Sequence, residues 1–165
     1  MLEIKKTENL KEVYETYRSS FPEDELMDFN DLLNQDMDGE LFSIYKDSIY
    51  AGFLSIFTYN HLCHILYFAL LETYQNQGIG TYTLDWLKSY KQNDKICADL
   101  EMPVESNNLD QRMKRIHFYQ KNGFIKSEVH YTWQNESYQI YSYNGNVSQK
   151  EFSEFWYHFN QKKKR

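Results

Sequence analysis

Gln75-Asn76-Gln77-Gly78-Ile79-Gly80-Thr81 joins an apolar run, Leu62 to Leu71, to a segment from about Thr81 to Lys91 that carries apolar residues at helical spacing. The run is rich in branched and aromatic residues and reads as a strand. Two glycines let the backbone turn tightly and expose successive N–H groups, and the helix that starts there aims the positive end of its dipole at the same point. The stretch is therefore an anion cradle between a strand and a helix. A dinucleotide fingerprint would need a third glycine where Thr83 stands, and a P-loop would need Gly-Lys-Ser/Thr, which is absent. On spacing alone, an ordinary tight turn stands level with a phosphate site.

Outward from this loop the elements fall into order. Lys95 to Glu101 is a strand that returns beside Leu62–Leu71, and a crossover helix of this length implies a parallel pair at the centre of a sheet. Asn108, with Gln111 as capping-box partner, opens another helix that Gly123 stops. Phe124–Trp133 and Tyr138–Tyr143 are strands around a turn at Gln134–Ser137, and Ser148 with Glu151 caps a last helix striped by Phe152, Phe155, Trp156 and Phe159. Towards the amino terminus, Leu41–Tyr45 and Ile49–Tyr59 are strands joined by a turn at Lys46-Asp47-Ser48, and a second turn at Tyr59-Asn60-His61 leads into Leu62–Leu71. Before them come a strand at Leu2–Lys6, a helix capped by Thr7 with Leu10, Val13, Tyr14 and Tyr17 on one face, and a second helix after Phe21 with Pro22 in its first turn and Leu26, Phe29 and Leu33 as its apolar face. The pattern is α/β: a mixed sheet of about seven strands with helices on both faces.

The chain of 165 residues is long enough for one good core and too short for two, so residues 1–165 read as one domain, with 148–165 a carboxy-terminal helix and basic tail. Tyr (15) and Phe (11) dominate its apolar content, so several phenols must find partners in the interior. The net charge of -6 has the wrong sign for a protein that binds a phosphate backbone, and the basic block Lys162–Arg165 reads as a solvated helix end. No run approaches the roughly 20 apolar residues of a membrane span, and Met1–Lys11 lacks a signal peptide's apolar core, so a soluble, cytoplasmic protein is expected. In that compartment the glycosylation triplets at Asn135 and Asn146 are idle and Cys63 and Cys97, without CxxC spacing, are reduced core thiols. His61 and His64 fall on opposite strand faces with no third ligand, so no metal is expected.

Gln75-x-x-Gly78-x-Gly80 resembles the Arg/Gln-x-x-Gly-x-Gly/Ala signature of the GNAT superfamily of acyl-CoA N-acyltransferases, at that family's place after the fourth strand. Arg112-Met113-Lys114-Arg115-Ile116-His117-Phe118-Tyr119-Gln120-Lys121-Asn122-Gly123-Phe124 resembles the family's helix ending in Phe-Tyr-x-x-x-Gly-Phe, and the element order from Leu2 to Tyr143 is similar to that fold. The resemblance implies a mostly antiparallel sheet whose central parallel pair splays apart. It implies acetyl-CoA as co-substrate, with Gln75, Asn76, Gln77, Gly78, Ile79, Gly80 and Thr81 around the coenzyme pyrophosphate, and a backbone N–H near Leu70 or Leu71 on the acyl carbonyl. Tyr119 then faces the sulfur as general acid, against the bland reading of a core tyrosine. Glu101, at the end of the fifth strand and sharing its face with Asp99, is the candidate base, directly or through a water, against a plain surface charge. Two departures stand out: Glu72-Thr73-Tyr74-Gln75 replaces Pro-Glu-Tyr-Arg, and Arg112 stands where many members have Asn. Arg112 or Arg115 is either a coenzyme phosphate contact or a solvated surface residue.

The function so implied is transfer of an acetyl group to a primary amine of a small molecule or peptide by direct attack, in a monomer or homodimer, with neither metal nor covalent intermediate. The absence of a Gly-x-Ser-x-Gly elbow agrees with this. The alternative is a non-catalytic coenzyme-binding or protein-interaction module with the same fold.

Overall fold

The structure, a computed structural model, describes residues 1–33, 38–105 and 108–163. Its strands are β1 (Leu2–Lys6), β2 (Gly39–Lys46), β3 (Ile49–Tyr59), β4 (Leu62–Leu70), β5 (Lys95–Glu101), β6 (Ile125–Trp133) and β7 (Glu136–Tyr143), in one sheet ordered β1-β2-β3-β4-β5-β7-β6. Every pairing is antiparallel except β4 with β5, whose crossover is α3 (Ile79–Tyr90). This is the mixed α/β sheet with a central parallel pair that the sequence implies. Three hairpins close on two residues each, Asp47-Ser48, Asn60-His61 and Gln134-Asn135, all at φ between 49 and 68°. Positive φ at both positions matches the right-handed twist of the flanking strands.

The helices depart from expectation where side chains compete for the backbone. Asn9, not Thr7, caps α1 (Leu10–Ser20), accepting from the Glu12 N–H at 3.3 Å, while the Thr7 hydroxyl pairs with that of Ser43. The single helix expected after Phe21 is a 3-10 turn at Glu23–Glu25 followed by the four-residue α2 (Phe29–Leu32). The break has a cause: the Tyr67 hydroxyl donates to the Glu25 carbonyl at 2.6 Å and accepts from the Met27 N–H at 3.2 Å, replacing helical partners by a phenol from β4. The expected Gln111 box at α4 (Leu109–Lys121) does not form, because the Asn108 amide oxygen accepts from Arg112 Nε instead. At α5 (Gln149–Lys163) the reciprocal box is present: the Glu151 N–H donates to Ser148 Oγ at 3.1 Å and the Ser148 N–H to Glu151 Oε1 at 3.2 Å. The end of the basic tail, Lys164 and Arg165, lies outside the described residues.

Two core layers sandwich the sheet. One, with Val13 and Tyr17 of α1 and Phe152, Phe155 and Phe159 of α5, covers Phe53, Phe57, Tyr67 and Cys97. The other, with Leu84 and Leu87 of α3 and Ile116 and Tyr119 of α4, covers Leu54, Cys63, Ile65 and Leu100. The aromatic stripe of α5 thus buries itself on the chain's own sheet, Phe159 against Phe57 at 5.1 Å and Phe155 against His64 at 5.0 Å. Cys63 and Cys97 are free and buried in opposite layers. No helix of the described residues is long and apolar enough to cross a membrane.

One irregularity shapes the centre. Ser55 faces Tyr67 and Ile56 faces Ile65, which leaves Leu66 as an extra residue in β4. A bulge bends its strand and raises its twist. The parallel ladder runs from Leu62↔Lys95 only as far as Ile65↔Ala98, so β4 and β5 part at the bulge.

Candidate active site

Beyond that point β4 still pairs with β3 but not with β5. The Leu71 N–H donates to the Ala51 carbonyl at 2.8 Å, and hydrogen-bonded pairs alternate along an antiparallel ladder. The backbone polar groups of Phe68 and Leu70 therefore point away from β3, into the opening. Of the two amides expected to serve an acyl carbonyl, Leu71's is committed to the sheet and Leu70's faces the gap. The Leu70 carbonyl accepts from Gln75 Nε2 at 3.1 Å, which ties the glycine loop to the strand end.

The loop is built by left-handed backbone at Asn76 (φ 61°) and Gly78 (φ 82°). Gly78 is the N-cap of α3 without a side-chain cap, and the first helical bond, Tyr82 N–H to Gly78 carbonyl, leaves the N–H groups of Gly78, Ile79, Gly80 and Thr81 without partners among the described residues. A Cβ on Gly78 would meet nothing within 4 Å, so the cradle is open. Gly80 is different: its Cβ would lie 2.9 Å from the Phe118 ring. That glycine is required by the packing of α4 on the start of α3. Lys46, at the end of β2, donates to Gln77 Oε1 at 2.7 Å and so brings a cation to the loop.

Phe118 and Tyr119 follow one another on α4, and Tyr119 packs edge-on against Phe118 and Phe124. It is 6 % exposed, and its hydroxyl has no hydrogen-bond partner among the described residues. Burial pushes the phenol up to about 12, so it carries its proton throughout the neutral range.

On the opposite face of the sheet the charges gather. Asp99 accepts from the Tyr131 hydroxyl and bonds His64 Nε2 through its other oxygen, which bridges β4 to β5 where the ladder ends. His64 is buried under Phe155 and Trp156, whereas His61 is exposed and pairs with Asp94. Glu101 faces Arg112 at 2.8 Å and Arg115 at 3.8 Å. Arg112 also bonds Glu136 at 2.9 Å and the Met102 carbonyl at 3.0 Å, with its side chain only 5 % exposed. Neither expectation for this arginine, phosphate contact or solvated surface, describes it: it is a buried tie between α4 and the ends of β5 and β7. Arg115 is the half-exposed one.

Residues 10–124 match the model of the Acetyltransferase (GNAT) family. The chain belongs to this family. Solved GNAT structures share its fold at low identity: a GNAT-family protein from Bacteroides thetaiotaomicron (21 % identity, 94 % of each chain covered, TM-score 0.76) and the ribosomal-protein-S18-alanine N-acetyltransferase of Escherichia coli (18 %, 91 % of this chain and 97 % of that one, TM-score 0.66). A GNAT acetyltransferase from Elizabethkingia anophelis with acetyl-CoA bound is similar at 16 % identity over 86 % of this chain and 97 % of that one, TM-score 0.62. No curated protein matches the chain.

Within the GNAT frame, Gln75 to Thr81, Leu70 and Tyr119 lie on one side of the opening, and Glu101 stands at the end of β5, where it pairs with Arg112 and Arg115 of α4. Three residues that sequence reasoning did not single out join them: Lys46 at the loop, Phe118 behind Gly80, and Glu25 on the second face, where its carboxylate accepts from the Tyr138 hydroxyl at 3.1 Å. Phe118 is the first residue of the Phe-Tyr-x-x-x-Gly-Phe pattern, whereas nothing in the sequence marks Lys46 or Glu25 as site residues.

Proposed function

We propose that this GNAT protein transfers the acetyl group of acetyl-CoA to a primary amine by direct attack. The observation that carries the reading is the opening between β4 and β5, with unpartnered amides and a protonated phenol on one face and carboxylates on the other. The Gly78–Thr81 amides and Lys46 suit the coenzyme's phosphates, and the open space at Gly78 admits them. Backbone groups of Phe68 and Leu70 suit a chain of amides laid along the strand.

In the reaction the neutral amine nitrogen bonds to the thioester carbon while the Leu70 N–H stabilises charge growing on the carbonyl oxygen. The C–S bond breaks and the sulfur leaves with the proton of Tyr119, whose phenol is reloaded from solvent. The proton lost by the amine passes to an acceptor-face carboxylate, Glu101 or a water on it. Tyr119, at about 12, is a weaker acid than a thiol of ~8.5, so it assists the departure without being indispensable.

The test is thiol release from acetyl-CoA with a panel of primary amines. Amine-dependent release establishes the transferase. A protein that binds acetyl-CoA yet releases no thiol with any amine of the panel is a coenzyme-binding module.

A further inference from the structure

We infer that Glu25, in the 3-10 turn between α1 and α2, is the carboxylate that receives the acceptor's ammonium group, which makes a cationic amine the substrate class; the inference rests on the transferase reading above. Its place is fixed from both sides of the opening. The main-chain carbonyl of Glu25 is held by Tyr67 of β4 at 2.6 Å, and its side chain by Tyr138 of β7 at 3.1 Å, directly opposite Glu101 in the β5–β7 register. One residue therefore spans the gap where β4 and β5 part. It lies on the sheet face opposite Tyr119, the side from which an amine reaches the thioester without displacing the coenzyme.

Elimination among neighbours leads to the same residue. Asp99 has both oxygens committed, one to His64 and one to Tyr131. Glu101 already faces two guanidinium groups. Glu25 has one neutral phenol on Oε1, no partner on Oε2 and no ion pair among the described residues. Burial raises its carboxyl, the charge of Glu101 raises it further, and the Tyr138 bond and the more distant Arg115 only partly offset this. A half-buried carboxylate beside another lacks a counter-charge, and an ammonium group supplies one.

Its geometry is also supported from beneath. The Tyr138 ring stacks on Tyr131 at 5.2 Å, Tyr131 is anchored by Asp99, and Asp99 by His64. Five residues from the turn, β4, β5, β6 and β7 thus end in one carboxylate aimed at the opening. Side chains locked in this way hold a substrate group better than a free loop glutamate does.

The experiment titrates the protein, saturated with coenzyme A, with putrescine and with uncharged butanediol, beside thiol release from acetyl-CoA with the same diamine. Wild type should bind putrescine in preference to the diol. Glu25→Gln, which keeps the Tyr138 bond, should weaken putrescine by about tenfold or more, the size of one charged hydrogen bond, with unchanged coenzyme affinity and melting temperature. If that variant does not fold, Tyr138→Phe replaces it, retaining the charge but releasing the carboxylate, with an expected loss of about threefold. Equal putrescine binding by wild type and variant, or no preference over the diol, overturns the assignment. Putrescine bound through Glu25 with no thiol released by any amine keeps the assignment and sinks the transferase. Equal turnover in wild type and Glu25→Gln does the reverse.

Discussion

The two faces of the opening are built by different means. On the face proposed for the coenzyme, residues 75 to 81 are contiguous, and Tyr119 is tied to them through its neighbour Phe118, which fills the place a Cβ on Gly80 would take. On the face proposed for the acceptor, Glu25, His64, Asp99, Tyr131 and Tyr138 come from five separate elements and meet only through side chains. A binding surface made of backbone amides needs a local conformation, and a local conformation needs few residue types. A surface made of side chains needs the whole fold in place first.

That contrast can be broken from below. Phe155 supports the acceptor face alone, packed on His64 and 2 % exposed. Phe155→Ala should cost about 3–5 kcal/mol, the range for a large ring removed from a core, measured by urea unfolding. In the fraction still folded at low temperature, coenzyme affinity should stay near wild type while amine KM rises. Equal damage to both would mean that the faces are not separable.

Tyr119→Phe sharpens the contrast from the other side. It keeps the ring between Phe118 and Phe124, so the melting temperature and amine KM should hold while kcat falls by something like 10²-fold. The deficit should shrink with a more acidic leaving thiol. A variant as fast as wild type makes Tyr119 a packing residue. The same phenol has a pH signature. With its value raised from 10.0 to about 12 by burial, the folded state holds this proton more tightly than the unfolded chain. The stabilisation is complete below pH 10 and is lost as pH rises through about 12, so the phenylalanine variant should lose less stability across that window.

Gly78→Val has the smallest effect. A side chain there meets open space, so the penalty is the left-handed backbone at φ 82°, about 1–2 kcal/mol. The side chain also occupies the space that admits the coenzyme's phosphates, so coenzyme binding should weaken roughly tenfold by calorimetry, with amine KM unaltered. Unchanged affinity in a folded variant would remove the loop from the coenzyme site.

Much of this was legible in the amino-acid sequence. β5, the hairpin turns of the meander, the parallel crossover and the capping box of α5 depend on short-range pattern and turn chemistry, and they form where the residues place them. The helix after Phe21 was illegible because Tyr67, forty residues away, takes the backbone groups that a helix would use. Arg112 was misread for a related reason: its carboxylate partners, Glu101 and Glu136, lie on strands whose ends only the finished sheet brings together. Glu25 could be seen as an acidic residue but not as a site residue, because its significance lies in Tyr138, which is 113 positions distant.

The extra residue at Leu66 has a genetic consequence. The opening coincides with a single inserted position in β4, so one in-frame codon deletion there would straighten the strand, let the ladder with β5 continue past Ile65↔Ala98 and shut the opening. Tyr67 and Phe68 would keep their faces of the sheet and both core layers their contacts. Such a descendant should keep the sheet and lose the opening. In this scaffold the opening depends on a single inserted position in one strand.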